Sequence, residues 1–565
     1  MELVRRPASE LTDVLIAAGF PPVMARVYGA RGISARDDLA TDLDGLPSYS
    51  SLKGIEAAAA RLADAVVHRE QIVIVADYDA DGATACAVGV RGLVAMGARV
   101  DFLVPNRFEY GYGLTPEIVA QAATLEPRLI VTVDNGIASH DGVSAAAALG
   151  IEVLVTDHHL PAATLPSPAL IVDPNQPGCA FPSKDIAGVG VMFYVLLATR
   201  AALRQRGYFG VRSEPNLAGL LDLVALGTVA DVVRLDRVNR TLVAQGLARI
   251  RAGRAQPGVT ALLAAAGRDP QRATAYDLGF VLGPRLNAAG RLADMSVGIR
   301  CLLSQTEAAA APLASELDRL NRERREVETG MQDEALAELE ARAADATARE
   351  SWTLCLYRPE WHQGVVGIVA SRLKDRFHRP TIVFARGTSG ELKGSGRSIA
   401  GFHLRDALDL VAKRVPGLVP KFGGHAYAAG LSLAESDLPR FITEFEQIAR
   451  EQLSPAQLKR TLDSDGALGS GELNLALAEA LRDEVWGQGF PAPLFDDRFD
   501  VIDQRVVGDR HRKLTLERDD LRFEAIAFNE PVALPATVLA AYRPEVNEWN
   551  GRRSLQLVVE WWQPA

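Results

Sequence analysis

Aspartate and histidine side chains recur in four short segments of this sequence, each directly after an apolar run. Carboxylate oxygens and imidazole nitrogens are the groups with which proteins hold divalent metal ions. About six acids in one place would repel one another, and bound cations remove that cost. The pattern predicts two divalent ions, Mn²⁺ or Mg²⁺, in a site suited to phosphoryl transfer or hydrolysis. The residues are Asp77, Asp79 and Asp81; Asp134; Asp157, His158 and His159; and Asp231.

The apolar runs before these residues have the composition of buried parallel strands. Residues 72–76, 129–133 and 151–156 are short and β-branched, and Ala-rich helix-like stretches separate them. The carboxyl ends of parallel strands open on one crevice, where ligands bind. A further apolar run, residues 221–230, precedes Asp231, and we interpret it as a fourth segment that brings an acid to a strand end.

Each segment also has an interpretation without a metal. An aspartate after a strand is often the cap of the next helix, which applies to Asp134. The run D-x-D-x-D-G from Asp77 resembles the start of a calcium-binding loop, but Val88 stands where such a loop requires Glu. His158 and His159 could form a partly exposed turn. All four segments together favour the metal site over these separate causes.

Composition places the chain among multidomain globular proteins. It has 565 residues, 48% of them hydrophobic and 23% charged, which predicts about two to four domains. It has no uncharged apolar run of about 18 residues, and its N-terminal residues do not form a secretory signal. The four cysteines (Cys86, Cys179, Cys301 and Cys355) form no C-x-x-C pair. We therefore expect a cytoplasmic protein without a membrane segment.

The second half of the chain contains a basic segment. Residues 306–350 are rich in Ala, Leu, Glu and Arg and predict a long connecting helix. A smaller α/β domain is predicted at 351–450. Between Val365 and Gly430 it has 11 Lys and Arg against 4 Asp and Glu, in a chain of net charge −10. Such a local excess suits a nucleic-acid partner better than the net charge suggests.

The last segment, residues 456–565, alternates apolar and polar residues. Turns are predicted at residues 518–520 and at Asn550-Gly551, which favours a small antiparallel barrel of the oligonucleotide-binding (OB) type. With a helical extension at 1–50 and the metal domain at 51–305, the predicted class is α/β. A mostly parallel sheet is followed by the long helix, the smaller α/β domain and the barrel.

The four metal segments resemble the motifs of the DHH phosphoesterase superfamily, named for the triplet Asp157-His158-His159. A-D-Y-D-A-D-G-A-T, V-T-V-D-N-G, V-T-D-H-H and G-T-V-A-D-V-V are similar to its four motifs in order. Nearly the whole chain resembles the RecJ family, with the signature G-P-R-L-N-A-A-G-R-L and with G-S-G-R-S and F-G-G-H in the DHHA1 domain. Ala76 departs from the Gly or His of many relatives. The resemblance implies a single-strand-specific 5′→3′ exonuclease that releases 5′-mononucleotides in DNA repair and recombination.

The resemblance also implies how the ligands divide between the two ions. Asp79 and Asp81 would ligate different ions, and Asp134 would bridge them. His158 and Asp231 would complete the second site.

Three further residues of the site are given supporting roles by the resemblance. His159 would be either a metal ligand or a phosphate contact. Asp77 and Asp157 would lie behind the ligands and orient water or imidazole, as such sites require.

Substrate contacts are implied outside the metal ligands. Holding a 5′ phosphate calls for Arg, Ser and backbone amides, which Ser395 and Arg397 would supply. Arg107 would be a third anchor, and Tyr112 would stack on the terminal base. From the residues alone, pairing with a neighbouring acid and simple packing remain open for these last two. The other residues expected to contact the strand are Arg285, Asn287, Arg291, His362 and His425.

The implied partners are single-stranded DNA, a single-strand-binding protein and a repair helicase, and we expect a monomer. Basic residues and aromatics of the barrel, among them Phe523, Phe528 and Trp549, would hold the strand. Two alternatives are a phosphoesterase for dinucleotides or short RNA and a non-catalytic DNA-binding scaffold. The additional barrel argues against the first, and the full set of metal ligands argues against the second.

Overall fold

The computed structural model describes residues 1–106, 113–343, 351–387, 390–469, 471–508, 510–549 and 551–565. The chain forms two compact units. The larger unit contains Arg5–Asp318 and Asp463–Ala565, and the smaller contains Met1–Val4 and Arg319–Leu462. The metal segments and the C-terminal barrel therefore belong to one unit, and the basic segment belongs to the other.

A five-stranded parallel sheet forms the centre of the larger unit. Strand β1 (Glu2–Arg5) pairs with a later strand and lies mostly in the smaller unit. The chain then reaches the sheet through α1 (Leu11–Ala17), α2 (Pro22–Gly29) and α3 (Ile55–His68). The strands are β2 (Gln71–Ala76), β3 (Arg99–Leu103), β4 (Leu129–Val133), β5 (Glu152–Thr156) and β6 (Leu170–Val172). Their order is β3-β2-β4-β5-β6, and every neighbouring pair is parallel. The three predicted strands are confirmed as the adjacent β2, β4 and β5, so their carboxyl ends meet at one edge.

Helices cover this sheet and continue beyond it. They are α4 (Ala80–Ala95), α5 (Pro116–Ala123), α6 (His140–Ala148), α7 (Gly188–Gln205), α8 (Leu221–Ala230), α9 (Arg237–Arg251), α10 (Pro257–Ala265), α11 (Gly283–Leu292) and α12 (Ser296–Leu303). A π-helix at Asp277–Leu282 precedes α11, and α13 (Glu307–Ala343) is one long helix. No helix among the described residues is long and apolar enough to cross a bilayer.

The prediction that residues 221–230 form a strand is wrong, because they form helix α8. Eight of its ten residues are buried, and the run is mostly apolar without a clear helical or strand period. Its length of 10 residues exceeds that of a typical buried strand. Asp231 is therefore the residue that ends a buried helix rather than a strand.

The smaller unit has a five-stranded mixed sheet. Its elements are β7 (Leu354–Tyr357), α14 (Val366–Phe377), β8 (Thr381–Arg386), β9 (Leu392–Arg397), α15 (Leu404–Arg414), β10 (Lys421–Gly424), β11 (Ala428–Leu433) and α16 (Leu438–Gln452). The strand order is β10-β11-β9-β8-β7, in which only the β7–β8 pair is parallel. Apolar residues of α15 and α16 pack on this sheet in one core.

A closed barrel ends the chain, as predicted. After β12 (Thr461–Ser464) and α17 (Leu475–Asp483), its strands are β13 (Phe495–Val507), β14 (His511–Arg518), β15 (Leu521–Ala527), β16 (Thr537–Trp549) and β17 (Arg552–Pro564). They close in the order β13-β14-β15-β17-β16. Asp519 and Asp520 form the predicted turn with positive φ angles of 52° and 59°. Asn550 of the other turn lies outside the described residues, and the flanking strands pair from Trp549 with Arg552. The predicted fold class is thus confirmed.

Candidate metal centre

The loop after β2 carries three aspartates into the start of α4. Asp79 is the N-cap of that helix, and its carboxylate accepts a hydrogen bond from the backbone N–H of Gly82 at 3.0 Å. Asp81 follows in the first turn and is fully buried. A second oxygen of the Asp79 carboxylate remains for another contact, because a carboxylate has several acceptor positions. Helix capping and metal binding are therefore compatible at Asp79.

Asp134 follows β4 with its backbone in the left-handed region, at a φ angle of 61°. Aspartate tolerates this region better than most residues, at some cost in free energy. The backbone N–H of Asp134 donates to the carbonyl of Thr156 at 3.0 Å, which holds the residue against the end of β5. The strained backbone turns the buried Asp134 carboxylate toward the neighbouring strand end.

Asp157 organises the turn after β5. One of its oxygens accepts from the backbone N–H of His158 at 2.7 Å and lies 2.7 Å from Nδ1 of His159. The other accepts from the backbone N–H of Ile137 at 2.9 Å. These contacts fix the backbone of the turn at His158 and the imidazole of His159. Both oxygens of Asp157 thus accept hydrogen bonds within this turn, and the supporting role implied for Asp157 stays a prediction.

The four segments meet around the Nε2 atom of His158. This atom lies 3.0 Å from Asp134, 3.6 Å from Asp231 and 3.9 Å from Asp81, measured to carboxylate oxygens. The ligand-type atoms form three overlapping groups, each within 4.8 Å. They are Asp77, Asp79 and Asp134; Asp81, His158 and Asp231; and Asp134, His158 and His159.

Burial and mutual repulsion perturb the acids of this cluster. Burial and the charges of neighbouring aspartates raise the pKa values of Asp81 and Asp134 well above their ordinary range. The same causes, burial first and then Asp79, raise the pKa of Asp231 to about 7. Close carboxylates with raised pKa values are the expected signature of a cation site. A bound cation offsets the repulsion between the ionised carboxylates.

The two histidines have opposite electrostatics. Burial, reinforced by the charge of His159, lowers the pKa of His158 to about 4, so its imidazole is neutral. Burial also opposes the charge on His159, but its hydrogen bond to Asp157 outweighs that effect and raises its pKa to about 9. A neutral imidazole is the form that ligates a metal. His158 therefore suits a ligand, whereas His159 suits a hydrogen-bond donor.

The donor set fits divalent cations. Among the described residues, the buried Nε2 atom of His158 has no hydrogen-bond partner, although three carboxylates surround it. The ring of His158 is also hydrogen-bonded to the backbone of Ile186, as a metal-ligating imidazole usually is. Carboxylate oxygens with one or two imidazoles suit Mn²⁺ and Mg²⁺, as predicted.

Three supporting hydrogen bonds of the centre are not apparent from the sequence. The backbone N–H groups of Gly188 and Val189, at the start of α7, donate to the two oxygens of Asp81 at 2.7 and 2.9 Å. Asn175 donates through Nδ2 to the carbonyl of His158 at 2.6 Å. Backbone N–H donors cannot be predicted from residue type, because every residue except proline has one. For Gly188 the one signal is glycine itself, since a Cβ there would lie 2.8 Å from the Asp134 carboxylate.

Helix α11, which carries the predicted signature, packs against the acidic loop. The Oδ1 atom of Asn287 accepts from the backbone N–H of Ala80 at 2.8 Å, and Gly290 allows the carbonyl of Tyr78 to approach its backbone. Arg285 is 8% exposed and pairs with Asp318 at 2.8 Å, which differs from the expected strand contact. The half-buried Arg291 lies in the last turn of this helix.

The predicted phosphate residues of the smaller unit lie near the start of α14. Ser395 and Arg397 are on β9, and a Cβ on Gly367 in the first turn of α14 would lie 2.8 Å from Ser395 Oγ and 3.1 Å from Arg397 Nη2. His362 Nδ1 accepts from the backbone N–H of Gly364 at 3.1 Å, just before the helix. His425 is in the β10–β11 turn, and β11 pairs its Ala428 with Arg397.

Several predicted strand contacts have other outcomes. Arg107 and Tyr112 lie outside the described residues. Phe523 is only 8% exposed and packs edge-on against Phe499 in the barrel core, so its predicted role as a base contact is wrong. Phe528 is 55% exposed, as a base contact must be. The side chain of Trp549 is outside the described residues.

Three family models match the chain along its length. They are the DHH family N-terminal domain at residues 71–228, the DHHA1 domain at 352–451 and the RecJ OB domain at 464–560. The first covers the acidic segments up to Thr228, and the second covers Ser395, Arg397 and His425. The third covers the closed barrel.

Full-length relatives extend these matches. The chain is 52% identical to the single-stranded-DNA-specific exonuclease RecJ of Dickeya dadantii and 50% identical to that of Escherichia coli. In both cases the match covers 99% of this chain and 98% of the relative. The crystal structure of Thermus thermophilus RecJ in complex with Mn²⁺ superposes with a TM-score of 0.83 at 33% identity, covering 100% of this chain and 79% of that one. The Mg²⁺ complex gives a TM-score of 0.77 at 31% identity.

Proposed function

This chain belongs to the RecJ family, and on that premise we propose that it is a metal-dependent exonuclease that degrades single-stranded DNA. The observation that carries the proposal is the meeting of the groups Asp77/Asp79/Asp134 and Asp81/His158/Asp231, which a 3.0 Å contact between Asp134 and His158 brings together. We assign to it the 5′→3′ direction and the release of 5′-mononucleotides. A role in DNA repair and recombination follows from the family.

The ligands divide between two ions. Asp77, Asp79 and Asp134 would hold one ion, and Asp81, His158 and Asp231 the other, with Asp134 close to both groups. This places Asp77 among the ligands rather than behind them. Bound divalent cations supply an activated water and neutralise charge on the phosphodiester.

We assign His159 to the phosphate rather than to an ion. Its Nδ1 is committed to Asp157 at 2.7 Å, and its side chain is 35% exposed, whereas that of His158 is 10% exposed. A protonated imidazole donates through both ring nitrogens, so His159 can offer a donor in addition to the one held by Asp157. Asp157 keeps His159 protonated and oriented, so that the imidazolium can hydrogen-bond a phosphate oxygen.

The group around Ser395 and Arg397 is proposed to bind the 5′-terminal phosphate. Burial lowers the pKa of Arg397, because its surroundings provide little water, and Arg397 Nη1 donates to Ser395 Oγ at 3.3 Å. The first turn of α14 adds the positive end of the helix dipole. A phosphate bound there would provide a negative partner for the positive charge of this guanidinium.

We further propose that the protein acts in the cytoplasm as a monomer, with a single-strand-binding protein and a repair helicase as partners. All four cysteines are free, which is compatible with a reducing compartment.

The decisive experiment uses a single strand labelled at either end, with Mn²⁺ or Mg²⁺ and the full-length protein. We expect mononucleotides from the 5′ end and little product from blunt duplex. Asp134→Ala should lower the rate more than about 100-fold, since it removes a shared ligand. Asp141→Ala, an exposed acid of the same domain, is the control and should leave the rate unchanged. Product from the 3′ end, or activity confined to dinucleotides, would contradict the proposal.

The phosphate site is tested by comparing strands with and without a 5′ phosphate. Arg397→Ala should lower the preference for the phosphorylated strand about tenfold or more, because a hydrogen bond to a charged group is lost. Arg376→Ala, at the other end of α14, is the matched control. Equal loss in both variants, or lost Mn²⁺ affinity in Arg397→Ala, would show that this assignment is wrong.

A further inference from the structure

Two aromatic rings stack on each other while remaining exposed on the larger unit. Tyr276 and Phe280 have ring centroids 5.0 Å apart and an interplanar angle of 21°. Their exposed fractions are 59% and 65%. Side chains of this size usually bury most of their area, so an exposed stacked pair is a feature that needs a function.

The pair lies on the π-helix that packs beside the metal centre. Phe280 is within this helix, and Tyr276 immediately precedes it. Gly279 and Gly283 allow close contact with Val229 and Ala230, the last residues of α8 before Asp231. A π-helix is rare and often marks a functional site. The rings are thus carried by an element that is fixed directly to the helix ending in a metal ligand.

The same segment also reaches the barrel. Arg272, four residues before Tyr276, pairs with Glu548 of β16 at 2.9 Å. Arg268 pairs with Asp277 at 3.4 Å, and its side chain is 49% exposed. The exposed rings therefore lie on a segment that contacts the metal centre at one end and the barrel at the other, with cationic side chains beside them.

The geometry points to Tyr276 and Phe280 as a base-stacking platform for single-stranded DNA between the metal centre and the barrel. This inference rests on the proposed function and adds a strand contact that the metal ligands and the 5′-phosphate site do not provide. The rings offer flat, sequence-independent surfaces for bases, and the side chains of Arg268 and Arg272, which are 49% and 62% exposed, add positive charge on the same segment. The occupant is one or two nucleobases of the bound strand, on the 3′ side of the nucleotide that is being removed.

The test measures affinity for a 3′-labelled, phosphorothioate-linked strand by fluorescence anisotropy, with the full-length protein in Mg²⁺. The double variant Tyr276→Ala/Phe280→Ala should bind about fivefold to a hundredfold more weakly, as expected for lost base stacking. Tyr276→Phe and Phe280→Tyr keep the flat rings and should bind as the unaltered protein does. Phe377→Ala, an exposed aromatic at the end of α14, is the control and should have no effect.

A single abasic site moved along the strand provides the sharper readout. In the unaltered protein, affinity should fall at one or two positions that face the rings. In the double alanine variant the same abasic sites should cause no further loss, because the two changes remove one interaction. The platform would be refuted if the double alanine variant bound the strand as tightly as the unaltered protein. It would also be refuted if the abasic sites lowered the affinity of both proteins equally. Either result would favour a protein partner on these rings. Failure of the unaltered protein to bind any single strand would instead refute the proposed function.

Discussion

Replacing Gly188 by alanine tests how tightly the metal centre is packed. A Cβ on residue 188 would lie 2.8 Å from both Cβ and Oδ1 of Asp134. Carbon atoms in contact prefer at least about 3.5 Å, so the carboxylate must move by about 0.7 Å. Metal ligands tolerate displacements of about 0.2–0.5 Å. The new methyl group therefore moves Asp134 beyond the range in which it can serve both groups of ligands.

Two magnitudes follow for the Gly188→Ala variant. Affinity for Mn²⁺ should fall about 10- to 100-fold, which corresponds to about 1.4–2.7 kcal/mol. The free energy of unfolding of the metal-free protein should fall by about 1–3 kcal/mol, the usual cost of overpacking. Calorimetric titration with Mn²⁺ and urea unfolding measure the two quantities separately.

Two control variants separate the metal centre from the fold. Gly92→Ala overpacks the side chain of Leu196, away from the acids, and should cost stability with little change in Mn²⁺ affinity. Gly210→Ala has no atom within 4 Å of its new Cβ and should change neither. Alanine is intrinsically the better helix former by about 1 kcal/mol. A Gly188→Ala protein that is more stable than the original and binds Mn²⁺ equally well would therefore refute this reasoning.

Three further predictions concern the same centre. Asn287→Ala removes the acceptor for the backbone N–H of Ala80 and should lower Mn²⁺ affinity about tenfold, measured by titration. Asn175→Ala leaves the His158 carbonyl without its donor and should lower unfolding free energy by about 1–3 kcal/mol in urea. The pKa of Asp231 is raised to about 7, and those of Asp81 and Asp134 are raised as well. An ion must displace these protons, so Mn²⁺ affinity should rise at least about tenfold per pH unit between about pH 5.5 and 7; affinity that is flat over that range would contradict this.

The strands of the metal domain were predictable because their composition matched their environment. Runs such as Leu129–Val133 are β-branched, short and buried on both faces, and nothing in the tertiary structure opposes that local preference. Residues 221–230 show the limit of the same reasoning. A run that is mostly apolar is compatible with a buried helix or a buried strand, and packing against α4 and α9 decides for the helix.

Burial sets the surroundings of two residues that were predicted to contact the strand. Arginine at position 285 is a natural phosphate ligand by residue type, but Asp318 and the carbonyl of Val281 occupy its guanidinium in the interior. Phe523 is likewise a core residue in the barrel. Exposure depends on residues remote in sequence, so a local pattern does not determine it.

The sequence by itself determined the chemistry of this protein: carboxylates and imidazoles at successive element ends, and the motifs that relate them to one family. Only the tertiary structure decided which acids lie within a few ångströms of one another, how burial and Asp157 shift the two histidines in opposite directions, and that the backbone of Gly188 and the side chain of Asn175 hydrogen-bond to Asp81 and His158. The physical reason is distance. Residue types specify which atoms can bind a cation, whereas charge, burial and hydrogen bonding depend on separations of a few ångströms between segments far apart in the chain.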